Sequence, residues 1–418
     1  MSATARVPAL APFRIRSFRF QWPADLATSW AFEMETLILG WYVLVETGSV
    51  VMLTVFASLQ HIGTLIAPMF GVMGDRVGHR NVLCAMRAVY AICALTLMAF
   101  AFAGALTPTY VLMIAAVMGL VRPSDIGMRA ALVGATMPAD RLLGAMSIQR
   151  TTQDSARVAG ALSGAGVVAL LGIGPAYAVV ATLYVTSILL TLKAGSARAP
   201  ARPAVAGVEH PSPWRDLREG LAYVWTTPHL LAIMCFALVL NMTAFPQFHA
   251  LLPYVAKEVY GVNQTWLGYM VAGASSGALL GAIVLSRYAG HLQAGRMSIV
   301  FGAGWYAMLL VFAQLQHPLA GIVALFLAGC AQSLGQVPMT TLLLRTSDER
   351  FRGRIMGIRM LMIYGNLPGL LLAGPLITHL GYPVMSALYC IFGLGFTALI
   401  AVRWRAHFWS RGAPANAR

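Results

Sequence analysis

The feature that most constrains this chain is a succession of apolar runs. They fall at about 24–46, 50–73, 82–104, 108–133, 145–171, 174–192, 230–255, 263–285, 296–315, 319–343, 355–378 and 382–402. A helix needs about 20 apolar residues to cross a bilayer, so twelve spans are expected. Lipid offers no hydrogen bonds to an open backbone, which makes each run a helix. Hydrophobic residues make up 59% of the chain and charged residues 10%, against about 45–50% and about 25% in soluble proteins. That balance excludes a soluble enzyme, a coiled coil and a disordered chain, and leaves an all-α membrane protein.

The formal charge of +15 would suggest nucleic acid in a soluble protein, but here the basic residues are dealt out between the runs. With both termini in the cytoplasm, all but four of the 29 Lys and Arg fall in inside segments. Arg87 is counted among them, Arg122, Arg129 and Arg157 lie within spans, and Lys257 falls outside. This is the positive-inside pattern. The N-terminus carries Arg6, Arg14, Arg16 and Arg19 without a short apolar segment and cleavage site, so the first span is expected to act as its own signal. Five scattered cysteines without CxxC spacing read as core thiols.

Residues 194–213 are rich in Ala, Pro, Gly, Arg and Ser, as a linker is. They are followed by Trp214, Leu217, Leu221 and Val224 at the spacing of an amphipathic surface helix. The expected organisation is a six-helix bundle over 1–193, a cytoplasmic linker with its helix over 194–228 and a second six-helix bundle over 229–418. An internal repeat supports it. At an offset of 210, Gly63 meets Gly273, Gly71 meets Gly281, Gly119 meets Gly329, Met146 meets Met356 and Ile148 meets Ile358. Parallel repeats of this kind bind substrate near the midplane.

After the second span, Gly71, Asp75, Arg76, Gly78 and Arg80 form the pattern GxxxDRxGxR. It resembles the cytoplasmic loop signature of the major facilitator superfamily, whose secondary transporters have two six-helix halves. The basic GR-containing loop before the eleventh span is similar to the bacterial drug and siderophore exporter branch. His79 stands where the signature prefers Lys or Arg, and the second half has Leu285 and Ser286 opposite Asp75 and Arg76. Gly160, Ala161, Gly164 and Ala165 stand where the antiporter motif reads GPxxGG. The resemblance implies the major facilitator fold, with the signature loop holding a charge network between helices. Arg129 is the candidate partner of Asp75. Apart from the family, Gly71 and Gly78 permit a tight turn, Asp75 can accept from a basic group, and Arg76 and Arg80 suit an anionic leaflet.

Ionisable groups deep in a membrane are costly, so each is a candidate functional residue. Glu33, Glu35 and Arg122 lie about 14, 17 and 18 Å from the cytoplasmic ends of their spans at 1.5 Å per residue. An acid of the first span is therefore expected to reach Arg122, and the two acids, about 200° apart on the helix, to face different ways. Asp125 shares a helical face with Arg122 and Arg129. Arg150, Asp154 and Arg157 form a similar ladder that reads as neutralised packing. The second half offers amides instead: Asn241, Gln332, Gln336 and Asn366, for substrate or for interhelical bonds. His61 and His249 read as ordinary hydrogen-bonded histidines, and Phe245 is one of several aromatics that read as pocket or packing. No spacing suggests a metal site, a phosphate loop or a catalytic nucleophile.

These observations point to a secondary transporter, not an enzyme, without cofactor, metal or nucleic acid. A small molecule, protons and the lipid bilayer are the expected partners. The expected setting is a monomer in a bacterial cytoplasmic (inner) membrane, exporting an amphipathic compound of drug or siderophore type in exchange for protons. Uptake of an anionic solute, and a non-transporting receptor on the same fold, are the alternatives.

Overall fold

In the computed structural model, residues 11–195, 213–288, 293–347 and 351–405 are described. Every regular element among them is helical. A 32-residue helix, α1 (Arg16–Thr47), comes first. The second span is broken into α2 (Val50–Leu59), a 3-10 turn (Ile62–Ile66) and α3 (Ala67–Val77). Four long helices follow: α4 (His79–Phe102), α5 (Pro108–Thr136), α6 (Ala139–Leu171) and α7 (Ile173–Lys193). The amphipathic helix is α8 (Pro213–Thr226).

The seventh span opens as α9 (Pro228–Val239) and widens into π-helical turns at Leu240–Ala244, Pro246–Ala250 and Val255–Val259, with α10 (Leu252–Tyr254) between the last two. Then come α11 (Gln264–Tyr288), α12 (Ala294–Gln314) and α13 (Pro318–Thr346). The chain continues through α14 (Arg352–Leu361), a 3-10 turn (Met362–Gly365), α15 (Asn366–Leu380) and α16 (Tyr382–Arg403).

Ten helical stretches among the described residues are long and apolar enough to cross a membrane. The long α1 and the interrupted second span complete the pattern read from the sequence. Apolar side chains face outward along these helices, as at Ile92, Leu170, Leu189, Ile391 and Leu399, each more than half exposed. Such a surface is untenable in water and natural in lipid. The chain is a multi-pass membrane protein.

Local signals set the helix ends. Thr107 caps α5, its hydroxyl accepting from the Tyr110 amide at 3.4 Å, and Pro108 takes the first position, where no donor is missed. Gly78, with φ +99°, separates α3 from α4 in a conformation that side-chain-bearing residues rarely adopt. Of the two glycines expected to permit a tight turn, Gly78 makes one, while Gly71 lies within α3.

The described residues form two compact units. In the first, up to Thr47 and from Leu59 to the linker, α1 packs on α6 and α7, and α4 on α7. In the second, α11 and α12 flank α13, and α12 also packs on α16. Gly48–Ser58, assigned to the 1–193 bundle on the sequence, packs with the second unit. There the backbone of Gly374 on α15 lies against Val51 and Thr54. Most of the 194–213 linker lies outside the described residues.

Candidate functional site

The first unit gathers nearly all the intramembrane charge, in three separate arrangements. The first centres on Arg122 of α5, which is half-buried. Its guanidinium donates to Gln60 Oε1 at 2.6 Å, to the Phe32 carbonyl at 3.0 Å and to Thr36 Oγ1 at 2.9 Å. It also lies over the Phe32 ring, 4.2 Å from the centroid, a cation–π contact. Gln60 comes from the break in the second span, where the chain leaves α2.

The expected meeting of Arg122 with Glu33 or Glu35 is not what the structure shows: its described hydrogen bonds all go to neutral oxygens. Tyr90 and Tyr184 also pack edge-on to Phe32, at 4.9 and 5.8 Å between centroids. Tyr184 donates to Glu35 Oε2 at 3.0 Å. Glu35 is only 2% exposed and forms no ion pair among the described residues. Arg122 and Tyr184, the partner of Glu35, thus both pack on Phe32.

Glu33 faces another way, onto α6. Its Oε1 pairs with Arg157 Nε at 3.3 Å, both side chains being about a quarter to a third exposed. Arg157 also lies 4.0 Å from Asp154, which pairs with Arg150 at 3.3 Å. The approach is possible because Gly160 sits beneath Glu33 and Gly164 beneath Met34. A Cβ on Gly160 would come within 2.7 Å of the Glu33 Cβ. The α6 ladder read as self-contained therefore extends to α1.

The third arrangement is fully buried. Arg87 is bonded to Asp25 and Thr191. Gln149 donates to Asp25 Oδ2 at 3.1 Å, and Arg129 Nε lies 3.8 Å from Asp25 Oδ1. Arg129 also pairs with Asp125, one turn away, and donates to Ser29 Oγ at 2.7 Å. Arg87 and Asp125 are 0% exposed, Arg129 1% and Asp25 3%.

Two expectations are corrected here. Asp125, read as a pathway residue, is sealed in an ion pair. Arg129 is held by Asp125 and Asp25, and its expected partner Asp75 has its side chain outside the described residues. Arg87, counted with the cytoplasmic loops, sits eight residues inside α4. The sequence did carry a signal for Asp25, an acid just inside the first run.

Around the signature loop, Gly71 and Arg76 are exposed. Arg80 donates to the Ala194 carbonyl and to Asn81 Oδ1, each at 3.4 Å. In the second unit the four amides do not converge on one another in the described contacts. Asn241 bonds back to the Ala237 carbonyl at 2.8 Å, Gln336 is half-buried, and Asn366 is buried at the start of α15. Gln332 lies 3.5 Å from His249 Nε2. Among the described residues, no group of three or more His, Cys, Asp or Glu side chains comes together as a metal site would need.

Two helical units with polar groups placed inside apolar spans define a polytopic membrane protein. The family model described as Major Facilitator Superfamily matches residues 26–371, and the chain belongs to that superfamily. Over 168 residues it is 32% identical to the multidrug efflux pump Tap of Mycolicibacterium fortuitum, an overlap of 38% of either chain. Among solved structures, the POT family transporter PepTSo superposes with a TM-score of 0.76 at 14% identity, covering 94% of this chain and 98% of that one. A variant of the nucleoside transporter NupG gives 0.70 at 14% identity, covering 93% and 100%. These two likenesses establish the fold.

Proposed function

We propose that this transporter exports an amphipathic small molecule in exchange for protons, by alternating access between its two six-span halves, from a bacterial cytoplasmic membrane with both termini inside. The observation that carries the reading is a buried carboxyl, Glu35, held by Tyr184 on the same unit as an arginine, Arg122, whose described hydrogen bonds go to neutral oxygens. Burial makes a carboxylate without an answering cation costly by several kcal/mol or more. Approach of the Arg122 guanidinium to Glu35 favours release of its proton, and withdrawal of the guanidinium favours recapture. Arg122 is suited to such switching because neutral oxygens hold it, which a carboxylate outcompetes. The local likeness to an efflux pump supports export.

The same free valence of Arg122 favours a second reading, uptake of an anionic solute whose carboxylate takes the place of Gln60 and Thr36. Proton movement in energised inside-out vesicles separates the two. Under export, amphipathic compounds release lumenal protons with the intact protein and not with Arg122→Ala. Silence across amphipathic drugs and siderophores, with organic acid uptake in right-side-out vesicles, establishes the second reading instead.

A further inference from the structure

The seventh span is the one place in the described residues where a helix is repeatedly widened. π-helical turns cost hydrogen-bond geometry and are found mostly where a side chain must be re-aimed for function. Here the second such turn, Pro246–Ala250, carries His249. The imidazole is exposed and stacks on Phe245, 5.3 Å between centroids and 20° between planes. Phe248 meets it edge-on at 4.9 Å. Both phenylalanines stand edge-on to Trp305, at 5.2 and 5.6 Å, and Trp305 is 1% exposed. The result is a braced aromatic wall with a histidine at its front.

Position adds to the argument. Gln332, whose amide lies 3.5 Å from His249 Nε2, is fourteen residues from either end of α13 (Pro318–Thr346), or about 21 Å at 1.5 Å per residue. His249 is thus exposed at mid-depth, where an ionisable side chain faces a protein-lined, watered space rather than lipid. The acid described on the spans of this unit, Glu258, pairs with Lys257 at 3.5 Å near the outer end. What the surface offers is flat π faces beside an amide and an imidazole.

We propose that Phe245, His249 and Gln332 form a subsite for a flat heteroaromatic ring of the transported molecule. The ring stacks against the phenylalanine–imidazole pair, and its nitrogen or oxygen edge exchanges hydrogen bonds with the Gln332 amide and the imidazole. This rests on the transport reading and adds a substrate class to it.

The test compares two cationic probes on the detergent-purified full chain, the planar acridine proflavine and the aliphatic decyltrimethylammonium. Phe245→Leu and His249→Leu are each expected to weaken proflavine about fivefold, the worth of one aromatic contact, and to leave the aliphatic probe within about twofold. His249→Phe keeps a stacking face and recovers most of the proflavine affinity, which also shows that position 249 tolerates replacement. Equal losses on both probes in folded variants, or unchanged proflavine binding, would falsify the subsite. Wild-type protein that binds neither probe overturns it too. Proflavine binding with the expected pattern but no export from vesicles leaves the subsite standing and removes export alone.

Discussion

Glu33 and Glu35 stand two residues apart on one helix and meet opposite surroundings: Glu33 an exposed ion pair with Arg157, Glu35 an aromatic box closed by Tyr184. Replacement with glutamine should therefore separate them. Glu35→Gln keeps an acceptor for Tyr184 but cannot carry a proton, so substrate-driven proton release should fall to the background of protein-free vesicles while exchange of labelled substrate continues. Glu33→Gln should weaken both activities together and abolish neither. Proton release that survives in Glu35→Gln removes that acid from the coupling. Asp25→Asn leaves two buried arginines sharing one carboxylate, a loss of about 3–5 kcal/mol. It should appear as a lowered Tm of the purified protein, and an unchanged Tm means that the cluster does not hold the helices. Depth along a helix was legible in the sequence, since acids and Arg122 stand out in apolar runs, and so was the divergence of the two acids. Pairing was not. Helical phase gives a direction from one axis, but Arg157 and Tyr184 become partners only through the rotation of α6 and α7, and the neutral oxygens that hold Arg122 come together through packing that no spacing encodes.

At the scale of elements, the repeat read as matching glycines has a steric origin. Gly63 and Gly119 lie where the second span crosses α5. A Cβ on Gly119 would stand 1.9 Å from the Leu59 carbonyl oxygen, and one on Gly63 2.1 Å from that of Leu120. Of their counterparts between α11 and α13, Gly329 does the same, since a Cβ on it would stand 2.1 Å from the Ala274 carbonyl oxygen, whereas one on Gly273 would meet the Ile322 side chain at 2.9 Å. Backbone cannot move aside as a side chain can, so Gly119→Val and Gly329→Val should each cost at least the 1–3 kcal/mol or so of ordinary overpacking. Folded yield from the membrane should drop in both, while Gly127→Ala, with nothing within 4 Å of its new methyl, leaves it unchanged. Equal yields for all three would show that these crossings tolerate separation. The Gly71 and Gly281 match is different in kind, because only Gly281 is in close contact. Span positions were legible because length and apolarity are one-dimensional properties. The π turns of the seventh span and the break at the 3-10 turn of the second were not, since both depend on which neighbours take up the displaced hydrogen bonds.

Over the whole molecule, the large-scale fact is the division into two units, and the spacing of basic residues between the apolar runs predicts which ends of the spans face the cytoplasm. A protease site placed in residues 196–212 should be cut in inside-out vesicles and spared in right-side-out ones. Cleavage from the outside alone would invert the orientation. The linker and the repeat point to two halves. The allegiance of Gly48–Ser58 was not legible, because it depends on Gly374, more than 300 residues further along, offering a smooth backbone surface.

The buried cluster around Asp25 also has a consequence for how the chain is made. Its partners Arg87 and Arg129 lie 62 and 104 residues downstream. At about 5–20 residues per second, the first span waits roughly 5–20 s for them with its acid unanswered. Early synthesis of this protein therefore depends on the insertion machinery, or on lipid headgroups, to shelter one carboxyl until the third and fourth spans arrive. A chain cut short before Arg87 has nothing to replace that shelter.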